Sequence, residues 1–170
     1  VWSEFELDIS CIQFLAKDFG KIDLAKINIP VSFKDTIEQR LEEIEKCIAS
    51  KAPLAVIFLC GSTLEGLLHE VALKNERIFN QCKAAPQFKG KVKPFSEWSL
   101  ENLIVTSREL GIIGEDVVKH AHAVKDFRNY IHPRQQLKEN FTPRMFTAEM
   151  ANKVLQAAIA DLSAKKHSQV

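Results

Sequence analysis

The chain has 170 residues, 46% hydrophobic and 26% charged, with six glycines and six prolines, which excludes a disordered or fibrous polypeptide and is the length of one domain with a sizeable core. A net charge of +1 excludes polyanion binding by bulk charge, so any such role has to sit in local basic stretches. Four cysteines, Cys11, Cys47, Cys60 and Cys82, lack CxxC spacing, which disfavours a disulfide framework and gives reduced thiols in the cytoplasm as the expectation.

The first thirty residues read two ways. Phe5, Leu7, Ile9 and Cys11 alternate as in a strand, whereas Phe5, Ile9, Ile12 and Ala16 recur as in a helix, and helix is the expectation. Ile22, Leu24, Ile27 and Ile29 are expected to run extended against the body of the protein. Residues 1–33 are thus an N-terminal extension packing on a helical domain of residues 34–170. The chain opens on Val1 and Trp2 without Met, which fits a piece of a longer protein and equally a processed start.

Residues 35–49 place Ile37, Leu41, Ile44 and Ile48 on one helical face, with Asp35 and Glu38 as a variant capping box. Pro53 suits a first helical turn, and residues 54–80 predict a longer helix that is apolar nearly all round in its first two turns. Its most apolar run, Leu54 to Cys60, is far shorter than the about 20 residues of a membrane span, so no membrane segment is expected. Residues 81–98 contain Pro86, Gly90 and Pro94 without periodicity and predict a loop.

Ser99 is a good N-cap for a third helix that Gly111 closes. A fourth opens at Gly114 or Glu115 and runs through Val117, Val118, Ala121, Val124 and Phe127. Pro133 disfavours helical geometry at His132, so this helix should end near Tyr130 or Ile131. A proline-containing loop to Phe146 leads to a last helix over 147–164, with Met150, Val154, Ala157, Ala158, Ile159 and Leu162 on its apolar face. The sum is an all-α protein, an antiparallel bundle of about four core helices with an additional N-terminal helix or helices.

Charge is uneven along this framework. Asp35 to Lys46 carries five acids against two bases, Lys83 to Lys93 carries four lysines and no acid, and Lys125 to Arg144 carries five bases against Asp126 and Glu139. Lys89, Lys91, Lys93, Arg134, Lys138 and Arg144 are the candidate nucleic-acid contacts, although charged loops are more often simply solvated.

Several motifs fail. Leu68-His69-Glu70 begins like a zinc-protease helix, but position 73 is Leu where the second imidazole belongs. Gly61 to Gly66 lacks the Lys of a phosphate loop and lies within a helix, where both glycines read as close helix contacts. His120 and His122 face different sides, and Asp116–His120 or His122–Asp126 would be half a metal site, so a solvated face is the expectation. No metal or other cofactor is expected.

The segment Lys125 to Pro133 is different, because it sets a permanent guanidinium, Arg128, and a titratable imidazole, His132, four residues apart at a helix end. In a catalytic role His132 exchanges a proton with a ribose 2′-hydroxyl or a leaving oxygen, Arg128 offsets phosphoryl charge and Asn129 orients one of them. In a structural role the same residues bind terminal helix carbonyls and close the turn. Glu65, the only charge between Leu54 and Leu68, needs a partner if buried, and Arg128 is the candidate for that ion pair.

DFRNYIHP resembles the Arg-Asn...His signature of HEPN-like helical domains, and CGSTLEGLL and SLENLIVTSRELGII resemble two further stretches of that family. The similarity covers residues 50–165. It implies a bundle of about four helices, often dimeric, in a family whose active members are ribonucleases of toxin and defence systems and whose other members are inactive binding modules. The resemblance reaches Arg128, Asn129 and His132 only, and three residues intervene between Arg128 and His132, fewer than is usual in active members. The expected function is RNA binding or metal-independent RNA cleavage as a homodimer; the alternative is a non-catalytic module for oligomerisation or for docking a protein partner.

Overall fold

A computed structural model describes residues 9–20, 22–128 and 132–164, with residues 127 and 128 described as helix backbone only. Among them are eight α-helices and one two-stranded sheet, so the protein is all-α. The helices are α1 (Ile9–Leu15), α2 (Val31–Ala49), α3 (Pro53–Lys74), α4 (Glu76–Gln81), α5 (Leu100–Glu109), α6 (Glu115–Arg128), α7 (Pro133–Lys138) and α8 (Met145–Ala164). Strands β1 (Gln87–Phe88) and β2 (Lys91–Val92) pair antiparallel between α4 and α5.

Helix α3 is the centre. Pro53 occupies its first turn, where the missing N–H has no intrahelical partner to lose. Val56, Ile57, Cys60, Leu64, Leu67, Leu68 and Val71 recur at steps of one to four and are all buried, against α2, α5, α6 and α8. Each such side chain contributes roughly 1.5–3 kcal/mol by leaving water. By length and composition α3 is the one described helix that could cross a bilayer; in this fold its apolar surface is largely taken up by those four neighbours. Gly66 is half-buried beside α2, where a Cβ would stand 3.4 Å from the Phe33 ring, at ordinary contact distance, and Gly61 is buried.

The boundaries differ from the sequence expectations in instructive ways. Helix α2 begins at Val31, capped by Pro30 with no side-chain hydrogen bond, so Asp35 lies inside the helix and forms no capping box. Pro30, at φ −58° and ψ 145°, ends the extended segment and its carbonyl accepts from Phe33 and Lys34. The expected helix over 54–80 breaks at Asn75, whose side-chain amide donates to the Val71 carbonyl at 2.8 Å and so competes with the helical ladder. The expected loop over 81–98 contains the hairpin and a 3-10 turn at Phe95–Glu97. The expected loop before the last helix contains α7, which starts at Pro133 for the reason that α3 starts at Pro53.

Other expectations hold. Ser99 caps α5 in a reciprocal arrangement with Asn102, and Gly111, at φ 64°, closes it with Gly111 N–H donating to Arg108 and Ile112 N–H to Ser107. Residues Ile9–Leu15 form the expected helix α1, whereas the segment expected to run extended contains a 3-10 turn at Leu24–Lys26, capped by the Asp23 side chain accepting from the Ala25 N–H; Leu24, Ile27 and Ile29 are buried in the same core.

Helix α6 is held at its start by a carboxylate from a distant helix. Asp161 on α8 accepts from the Gly114 N–H at 2.7 Å, and Asp116, bound to Lys17 at 2.7 Å, accepts from Val117. A Cβ at Gly114 would stand 2.9 Å from the Asp116 Oδ1 and 3.4 Å from the Asp161 Oδ2. Gly114→Ala is therefore expected to displace the Asp116 carboxylate, while Asp161 stays in ordinary contact, and to lower the unfolding free energy by about 0.5–1 kcal/mol, the lower part of the range for a lost helix cap. Urea denaturation checks this: an unchanged midpoint would contradict it.

Candidate nucleic-acid interface

Helix α6 carries Arg128, the first of the three candidate catalytic residues. Val117, Val118, Ala121 and Val124 are buried and set its inner face towards α3, α5 and α8. Its described span ends at Arg128. The Arg128 side chain and all of Asn129 lie outside the described residues, and with them the expected Glu65–Arg128 ion pair. Glu65 itself is half-buried on α3, between the fully buried Leu64 and Leu67, so its carboxylate sits at the edge of the core instead of within it.

His132 is exposed, and it is the N-cap residue of α7 with φ −89° and ψ 118°, the extended geometry that a following proline imposes. It therefore does not continue the face of α6, and four-residue helical spacing does not govern its relation to Arg128. Beyond it, Arg134 and Lys138 are exposed on α7 at i, i+4 spacing, and Arg144 is exposed just before α8. Leu137, between the two bases, is 82% exposed.

The second basic stretch is a presented hairpin. Lys89 and Lys91 are exposed and Lys93 is half-buried; Lys93 donates its N–H to the Pro86 carbonyl at 2.9 Å and its own carbonyl accepts from the Trp98 indole at 2.9 Å. Trp98 is in turn packed against Phe95, at 4.8 Å between centroids, and Phe79. The structure thus gathers Arg134 and Lys138 on one short helix and Lys89 and Lys91 on one hairpin, while Lys93 is partly used as scaffold.

Two histidines depart from expectation. His120 is not on a solvated face: it is 7% exposed and stacks on the Phe14 ring at 4.4 Å, because α1 covers that side of α6. His122 and Asp126 do not form half a metal site. His122 Nδ1 lies 3.2 Å from Glu101 Oε2, the same oxygen that accepts from Lys125 at 2.6 Å, and Lys125 also reaches Asp126 at 3.4 Å. This cluster ties α5 to the later turns of α6, and sequence reasoning missed Glu101 because nothing local marks a pairing over 24 positions. His69 meets the Phe95 carbonyl at 3.1 Å in place of a metal. Among the described residues no three His, Cys, Asp or Glu side chains are grouped to hold a metal ion.

Comparison of the chain with protein-family models, with curated proteins and with solved structures finds no match. The chemistry of the site has to be argued from these residues.

Lys125's hydrogen bond holds the Glu101 carboxyl below its ordinary value of 4.5, against partial burial and with the charge of His122 adding to the effect. A carboxyl lowered in the folded state stabilises above its unfolded value and loses that contribution as the pH falls through the folded one. Both partners are about a third exposed, so the contribution is modest. Glu101→Gln should therefore melt below the wild type at pH 7, with the gap closing below about pH 4.5. Thermal melts at the two pH values check it, and a gap that persists in acid would contradict it.

Proposed function

We propose that this chain acts on RNA as a HEPN-like domain, binding it and cleaving it without a metal ion. The observation that carries this reading is the junction of α6 and α7. There His132 stands exposed at the N-cap of α7, four residues after Arg128 of α6 in the chain and just before Pro133 and the exposed Arg134 and Lys138. An exposed imidazole, with Arg128 four residues before it in the chain and the exposed Arg134 and Lys138 after it, has the residue types that RNA transesterification needs.

In this mechanism His132 takes the proton of a ribose 2′-hydroxyl, the 2′-oxygen bonds to the adjacent phosphorus, and the 5′-oxygen leaves with a proton from solvent. Arg128 offsets the charge on the phosphoryl oxygens and Asn129 orients the guanidinium or the phosphate. The products are a 2′,3′-cyclic phosphate and a free 5′-hydroxyl. A homodimer that brings two copies of Arg128 and His132 together would pair these groups across an interface, and a toxin or defence role would follow from such an activity. A second reading, a docking module for a protein partner, is favoured by Leu137, an apolar side chain left in solvent between two bases.

Incubation of the pure protein with total RNA is expected to give cleavage that persists in EDTA, leaves 2′,3′-cyclic phosphate ends and is lost in His132→Ala. Cleavage that stops in EDTA, or that survives in His132→Ala, would remove this mechanism; intact RNA would favour the docking module. RNA affinity should also fall with salt, and replacing Lys89, Lys91 and Lys93 together by Gln should flatten the log–log slope by up to about 2, at roughly 0.7 per phosphate contact for single strands. An unchanged slope would show that the hairpin does not meet the backbone.

A further inference from the structure

Phe88 has no place in the mechanism above, yet it is the most exposed aromatic side chain among the described residues, at 63%. In the hairpin register Phe88 stands opposite Lys91, and Gln87 stands opposite Val92. Val92 is half-buried and packs on the core, so the Phe88–Lys91 pair occupies the outer face. Lys89 brings its ammonium to 5.3 Å from the Phe88 ring centroid. One aromatic face and two ammonium groups are therefore displayed together at the tip of a two-residue turn.

The tip is built to hold that arrangement. Lys89 and Gly90 have φ of 49° and 75°, two successive left-handed residues as in the turn type that matches strand twist. Glycine or asparagine would adopt that conformation at Lys89 more cheaply, so a lysine there is kept at a conformational cost. The base of the hairpin is anchored by the indole hydrogen bond to Lys93 and the Phe79, Phe95 and Trp98 rings beneath it. A rigid support under an exposed aromatic and its lysines is the form of a recognition loop.

We propose that this hairpin is a grip for single-stranded RNA, in which Phe88 stacks on one unpaired base while Lys89 and Lys91 hold the phosphates beside it. The proposal rests on the RNA reading and names the form of RNA it takes. An exposed ring among cations, in a stretch from Lys83 to Lys93 that contains no acid, fits a ligand that offers a π-face and negative charge within one nucleotide. Single-stranded RNA does so at every residue, while a duplex keeps its base faces stacked inside. The two kinds of contact leave different signatures. Stacking changes affinity without changing the number of counterions released, whereas the lysines change the salt slope.

The test uses the full chain and a fluorescein-labelled 2′-O-methyl oligonucleotide of about ten nucleotides, which offers no 2′-hydroxyl to cut and is within the length that such platforms hold. Phe88→Ala is expected to weaken single-strand binding by roughly tenfold, the usual loss for one stacked base, with the salt slope unchanged. Phe88→Trp should restore affinity, and its added fluorescence should be quenched by the single strand and not by the same sequence as a duplex. Phe88→Ala binding as the wild type does, an equal loss for the duplex, or no quenching in Phe88→Trp would overturn the grip. If the wild type leaves total RNA uncut while Phe88→Ala loses single-strand binding, the cleavage mechanism fails and the grip stands. If the wild type cuts RNA and Phe88→Ala binds normally, the grip alone fails. A wild type that binds no single strand contradicts both.

Discussion

Helix α3 carries more apolar surface than any one neighbour can cover, and satisfying it fixes the positions of α2, α5, α6 and α8. An isolated helix of this composition would be driven to aggregate or to enter a lipid phase; surrounded by four others it becomes the axis of a core. The few polar groups on it are handled individually. Arg40 on α2 donates to Ser62 at 2.8 Å and to Thr63 at 3.4 Å, so the seam between amphipathic α2 and apolar α3 gives both hydroxyls a guanidinium partner. Glu65 stays at the half-buried edge, where a carboxylate costs less than it would among Leu64 and Leu67.

Helix α6 is pinned on three sides. Asp161 fixes its first turn, Glu101 holds Lys125 in a later one, and Val117, Ala121 and Val124 prevent it from rolling. Pro133 forces His132 out of helical geometry and opens α7 in its own first turn. A core constraint is thereby converted into a surface one: a histidine and two bases are displayed on short, weakly packed structure at the end of a rigid helix. The hairpin repeats that arrangement on the other side of α5 in sequence, with aromatic rings in place of a helix beneath it. In both places charge is exposed on a firm base, which is what a phosphate-binding surface needs and what a merely solvated loop does not.

The long helices were legible because burial on one face leaves a period of three to four in the sequence, as in Ile37, Leu41, Ile44 and Ile48, and because Ser99 and Gly111 mark their ends chemically. The breaks were less legible. Asn75 stops α3 through a side-chain hydrogen bond that many asparagines in helices do not make, and α7 is too short for a periodic signal. The hairpin has two-residue strands, so alternation cannot establish itself; its one local mark is Gly90 following Lys89. Contacts over long sequence distances were not legible at all. Nothing near Glu101 announces Lys125, and nothing near His120 announces that Phe14 will cover it. At the candidate site the residue types were readable and the geometry at His132 followed from Pro133, whereas the relation of Asn129 and the Arg128 side chain to it lies outside the described residues.

The claim that joins these observations is that RNA meets the α6–α7 junction and the hairpin, and the most direct measurement is amide chemical-shift mapping of the full chain during titration with an uncleavable single-stranded RNA. The result expected is a set of saturating shifts at His132, Arg134 and Lys138 and at Phe88, Lys89 and Lys91, with the α3 core amides unmoved. Shifts confined to other surfaces, or none at RNA concentrations far above the micromolar range of weak non-specific binding, would contradict it.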